Sequence, residues 1–177
     1  MRREQLEHLI RAAGAICQSR RMLVIGSQSI LGQFPSGAPE RALLSMEADL
    51  MPLDAPSRTD LISGSLGEGS PFQEAFGYYG EGVGADTAKL PEGWRDRLIA
   101  IENANTNGFV GLCLELHDLL VAKYFAGRDK DYEFAQVLIS AGLVNRGTLL
   151  HRISETGMDD QRRSVMLAAI ARHFATA

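Results

Sequence analysis

The stretch Met22 to Pro52, MLVIGSQSILGQFPSGAPERALLSMEADLMP, constrains the fold most strongly. Met22 to Ile25 is short, uniformly apolar and partly β-branched, which suits a buried strand better than a helix. Gly26-Ser27 then reads as a turn leading into a short helix that starts near Gln28. A linker rich in Gly and Pro follows, and Leu43 to Leu50 reads as a second strand carrying Glu47 and Asp49. Acids at i and i+2 on a strand share a face, because side chains alternate with period two. Leu44, Met46, Ala48 and Leu50 are expected on the opposite, apolar face. Two carboxyls side by side repel unless a cation sits between them. A Gly-Ser turn before a helix offers free backbone N–H groups to a phosphate, and Ser27 and Ser29 could each cap the helix or bond that phosphate. Acid pair and turn together point to metal-assisted phosphoryl or nucleotidyl transfer.

Composition narrows the setting. At 177 residues, 45% hydrophobic and 23% charged, the chain has enough apolar material for one core. A formal net charge of −4 argues against nucleic-acid binding through bulk charge and mildly against a large nucleic-acid acceptor. Cys17 and Cys113 lie far apart without a CxxC pattern and read as buried, reduced residues. His8, His117, His151 and His173 lack zinc-ligand spacing. No segment approaches ~18 apolar residues and no secretory leader is legible, so a cytoplasmic, non-membrane protein is expected.

Along the chain, Leu6, Leu9, Ile10, Ala13 and Cys17 keep helical spacing, predicting a helix from Arg3 to about Arg20 closed by Arg20-Arg21. A short helix over about Arg58 to Leu66 and a flexible connection through SGSLGEGS come after the acid pair. Phe76 to Val83, containing Glu81, has the aromatic content of a strand or hairpin. Arg97 to Ile101 and Phe109 to Leu116 read as strands around the hairpin-like loop ENANTNG. From Asp118 onward four helices are expected, with Gly127 and Gly142 as stops and Asp129 as a cap. The whole predicts an α/β (α+β) fold, a mixed sheet flanked by helices: a catalytic core over residues 1–116 and a C-terminal helical module over 117–177.

The stretches VIGSQSILGQFP, SMEADLMP, GEGSPFQEAFGYYGEGV, LPEGWRDRL and LELHDLLVAKYFAGRDKDYEF resemble the nucleotidyltransferase superfamily of the DNA polymerase β type. They are most similar to small bacterial nucleotidyltransferases of the DUF6036 type, over most of residues 20 to 145. The resemblance implies Mg²⁺-dependent transfer of a nucleotide from an NTP. Glu47 and Asp49 would ligate the metal, Gly26 and Ser27 would bind the triphosphate, and pyrophosphate would leave. Carboxylate oxygens suit Mg²⁺, which takes phosphate oxygens and waters as its remaining ligands. The superfamily usually has Asp-x-Asp, so Glu47 is a departure. A third carboxylate is expected from a neighbouring strand, with Glu81 first and Glu102 and Glu115 behind it.

A second constellation is Lys123, Arg128, Asp129 and Asp131. This stretch is similar to one in abortive-infection-type toxin nucleotidyltransferases, which implies a catalytic Lys123 and nucleotide-binding roles for Arg128 and Asp131. A lysine can neutralise triphosphate charge and an arginine can fork onto phosphate. An interhelical ion-pair cluster explains the same spacing equally well. The acceptor (a tRNA end, a protein hydroxyl or a small molecule), a toxin–antitoxin role and the oligomeric state stay open. A catalytically silent, nucleotidyltransferase-like binding partner is the alternative.

Overall fold

The computed structural model describes residues 1–84 and 86–176. Helix α1 (Arg3–Cys17) lays Leu6, Leu9, Ile10, Ala13 and Cys17 into the core at the predicted spacing. It ends earlier than expected. Gln18 adopts a left-handed conformation, and the N–H of Ser19 returns to the carbonyl of Gly14 at 3.0 Å. Arg20 and Arg21 therefore do not cap it. Arg21 opens strand β1 (Arg21–Val24) with its guanidinium on Asp54 at 2.6 Å, and Arg20 reaches Glu102 at 3.2 Å.

A 3-10 turn (Ser27–Ser29) runs into α2 (Ile30–Gln33), as the Gly-Ser turn led one to expect. The second strand, β2 (Glu47–Pro52), starts later than predicted. A 3-10 turn takes Glu40–Leu43, and the Ser45 hydroxyl occupies the N–H of Glu47 at 3.2 Å, which competes with strand pairing before Glu47. Leu44 is consequently 73% exposed and Met46 is also exposed, whereas Ala48 and Leu50 are buried as expected. Residues 39–46 form a strap alongside the sheet, not part of it.

A 3-10 turn (Pro56–Arg58) and α3 (Asp60–Leu66) follow. The connection expected to be flexible leads instead into a further helix, α4 (Pro71–Phe76). Ser70 caps it by accepting from the N–H of Gln73 at 3.2 Å, and Pro71 opens it. Strands β3 (Tyr79–Gly82), β4 (Ile99–Ile101) and β5 (Val110–Cys113) complete a five-stranded sheet in the order β3-β2-β1-β5-β4. β1 runs antiparallel to β2 and parallel to β5, β2 and β3 are parallel, and β4 and β5 form the expected antiparallel pair.

Helices α5 (Leu116–Ala126), α6 (Asp129–Ser140), α7 (Arg146–Ser154) and α8 (Asp160–Ala175) close the chain. Gly127 ends α5 at a φ of 68°, a conformation that favours glycine. Arg128, not Asp129, holds the N-cap position of α6, with Asp129 as its first helical residue. One apolar cluster joins α1, the sheet and α5–α8, and Cys17 and Cys113 are buried free thiols within it. Among the described residues no helix is long and apolar enough to cross a membrane. Sheet and helices together are the predicted α+β architecture.

Candidate active site

The antiparallel pairing of β1 with β2 brings the Gly26 turn against Asp49. The N–H of Ile25 donates to the carbonyl of Asp49 at 3.0 Å, which places the next residue beside its side chain. Gly26 has φ of 50°. A Cβ added there would collide with Oδ2 of Asp49. Gly26 is thus required twice, for its backbone angle and for the closeness of the carboxylate. Ser27 lines the cavity that Asp49 also faces. Ser29 does not. It is buried, and its hydroxyl donates within the turn, with the carbonyls of Val24 and Ile25 at 2.7 and 2.5 Å.

Glu47 and Asp49 face a cavity of ≈490 Å³ between the sheet, the 39–46 strap and helices α5 and α6. Burial lifts the Glu47 carboxyl above its ordinary range, and the charges of Asp49 and Glu81 add to the lift. Asp49 is raised too, by burial first, against the opposing pull of Lys123, Arg128 and Lys130. The charge of each therefore bears on the other, and the mutual repulsion of two like charges on one strand face favours a cation between them.

Glu81 lies in register beside Asp49 on the adjacent parallel strand. Its Oε1 accepts from the N–H of Glu68 at 3.1 Å. Among the described residues no three His, Cys, Asp or Glu side chains gather as a metal-ligand group. Glu102 is taken by Arg20 at the surface. Glu115 caps α5 and holds the ring of His117 at 2.7 Å. The Glu47 and Asp49 carboxylates offer the cavity hard oxygen donors on one strand face, which fits Mg²⁺ held by one or two carboxylates with water and phosphate completing its shell.

Across the cavity stand Lys123, near the end of α5, and Arg128 and Lys130, around the start of α6. Asp131 itself is fully buried behind them and ties the wall together. It pairs with Lys123 Nζ at 3.1 Å and accepts from Arg128 Nε at 2.6 Å and from an Arg128 terminal nitrogen at 3.2 Å. Burial pushes its carboxyl up, but the two cations more than offset this and hold it below the ordinary range. The ion-pair cluster and the cationic wall are therefore one structure. The sequence reading did not single out Arg41, Thr87, Lys130 or Glu133, which also line the cavity. Lys130 and Glu133 both lie within the stretch AGRDKDYEF, whereas Arg41 and Thr87 sit in connections without any periodic signal.

A mixed sheet that sets an acid pair beside a Gly-Ser turn, opposite a wall of cations, defines a nucleotidyltransferase-like α+β protein. The chain belongs to the family described as nucleotidyltransferase of unknown function (DUF6036), whose model matches residues 4–172. Neither the curated proteins nor the solved structures contain a match to it.

Proposed function

We propose that this protein is a Mg²⁺-dependent nucleotidyltransferase that moves an NMP from an NTP to a hydroxyl of an RNA end, a protein or a small molecule. The observation that carries the reading is the pairing of unmatched acids with opposed cations across a single cavity: Glu47 and Asp49 on β2, Lys123 and Arg128 on the helices. Glu47 and Asp49 would hold Mg²⁺, with Glu81 as the neighbouring third acid once released from Glu68. When bound, the metal supplies polarisation of the phosphate oxygens. Lys123 and Arg128 balance triphosphate charge, Asp131 fixes both of them, and Gly26-Ser27 presents backbone N–H groups to the β- and γ-phosphates. The acceptor oxygen bonds to the α-phosphorus as the bond to pyrophosphate breaks, and the hydroxyl proton passes to water. A toxin–antitoxin setting and a cytoplasmic location are part of the same proposal.

The test is pyrophosphate release from each NTP with Mg²⁺, using cellular RNA, protein and metabolite fractions as acceptors. Release by wild type, lost in Asp49→Asn, supports the reading. No release with any fraction, together with no Mg²⁺-dependent thermal shift by any NTP, sinks it. A second reading, a silent nucleotidyltransferase-like binding partner in a toxin–antitoxin pair, is favoured by glutamate at the first acid position and by the Glu81 carboxylate being turned onto Glu68. It predicts a nucleotide-dependent thermal shift without pyrophosphate release.

A further inference from the structure

The acid pair and the cations Lys123, Arg128 and Lys130 account for part of the cavity lining only. Helix α6 continues past Lys130, and Phe134 and Val137 line the space one and two turns further on. Val137 is about 10 Å along the helix axis from Lys130 at 1.5 Å per residue. Facing this extension, the strap contributes Ala42 and the exposed Leu44. These residues give that part of the cavity an apolar lining, a slot continuous with the phosphate end, where Lys123 Nζ lies 5.3 Å from the centroid of the Phe134 ring. The whole cavity of ≈490 Å³ lies in the range of small-molecule sites. Two further charged residues line the same cavity: Arg41 on the strap and Glu133 on α6. Among the described residues neither makes an ion pair, with the other or with anything else.

We propose that this slot is the base subsite of the donor nucleotide and that Arg41 and Glu133 select guanine. This rests on the transferase reading above and names its donor. A carboxylate takes two adjacent N–H donors, and guanine alone among the four bases carries two on neighbouring atoms, N1–H and the N2 amine. The O6 and N7 acceptors of the same base are the pair that an arginine fork matches. Adenine and cytosine offer Glu133 one amine, and uracil offers one imino N–H. Leu44 on one side and Phe134 with Val137 on the other supply the apolar faces against which a flat ring packs.

The experiment is calorimetric titration of the full chain with Mg²⁺ and, separately, GTP, ITP, ATP, CTP, UTP and inorganic tripolyphosphate. The expected result is GTP binding at least about tenfold tighter than the other three common NTPs, as one good bidentate contact provides. ITP, which lacks the N2 amine, should fall toward ATP. Glu133→Gln should erase the GTP preference while leaving tripolyphosphate affinity unchanged, and Val137→Trp should weaken every NTP but not tripolyphosphate. If tripolyphosphate binds and NTPs bind no tighter, or if another base is preferred, the guanine subsite is overturned while the phosphate site stands. If neither tripolyphosphate nor any NTP binds, the transferase reading falls and the subsite with it.

Discussion

Asp131, behind the helical wall, and the Glu47/Asp49 pair, on the sheet, are acids a cavity's width apart that their surroundings treat in opposite ways. Asp131 is buried but forked by Arg128 and Lys123, and its carboxyl is held below the ordinary range. Glu47 and Asp49 keep more contact with solvent, have no cation within ion-pair distance among the described residues, and are raised. Burial alone therefore does not decide the state of an acid here; the partner does. Asp131 is a finished contact that builds the wall. The pair is an unfinished one, and the proposed Mg²⁺ would complete it.

The largest effect expected from breaking this contrast is on turnover. Glu47→Gln or Asp49→Asn should lower kcat by at least about 10²-fold, in the range seen when one strong electrostatic contributor is removed, read from pyrophosphate release. Next is Asp131→Asn, which leaves Lys123, only 12% exposed, without its partner. Loss of one member of a buried pair costs ~3–5 kcal/mol, and the 59% exposure of Arg128 discounts this to roughly 2–3, or a Tm drop of about 5–10 °C by calorimetry. Unlike the acid-pair variants, it should lower stability and turnover together.

Gly26→Ala comes third. It places a methyl where Oδ2 of Asp49 sits and strains a φ of 50°, so a loss of ~1–2 kcal/mol and a weaker Mg²⁺ response are expected in a thermal-shift titration. An unchanged Mg²⁺ response would break the link between the turn and the acid.

The smallest effect is on the stability of the metal-free protein. Raised folded pKa values mean that the pair costs stability as pH climbs from the ordinary carboxylate range through the raised values, and that the full cost is present above them. The depressed pKa of Asp131 works the other way: its contribution is present above the unfolded value and is lost as pH falls through the folded one. Mild acidification should thus first raise Tm and then lower it. Asp49→Asn should remove the first phase and raise Tm near neutrality by about 2–4 °C, equivalent to ~1 kcal/mol. A fall in Tm for this variant near neutrality would show that the pair stabilises the apo protein.

Much of this contrast was legible in the chain. The period-two placement of Glu47 and Asp49, the apolar run before Gly26, and Glu81 on a further strand all survive in the sheet, because strand alternation is a local property. The division of labour between Lys123, Arg128 and Asp131 was not legible, since identical spacing serves a nucleotide contact and an ion-pair cluster, and only burial of Asp131 separates them. The start of β2 was missed because a side-chain hydrogen bond from Ser45 outcompetes the ladder, and α4 because Ser70 and Pro71, a good cap and first turn, were absorbed into a Gly-rich linker. Arg41 sits in a connection without periodicity, and Glu133, though inside a motif-bearing stretch, reads as an ordinary exposed helix acid. They line a cavity that exists only once the strap and α6 are packed.

The fit of Gly26 against Asp49 has a consequence for how such a protein can diverge. The two residues are held to each other through the β1–β2 pairing, not through the strap that joins them in the chain. Lengthening that strap costs little in closure entropy, about 0.6 kcal/mol per doubling. Insertions between turn and acid can therefore remodel the wall that Arg41 and Leu44 build while the chemistry beneath stays in place. Among descendants of this chain, glycine and aspartate should be inherited as a unit, and the segment between them should vary most freely in length.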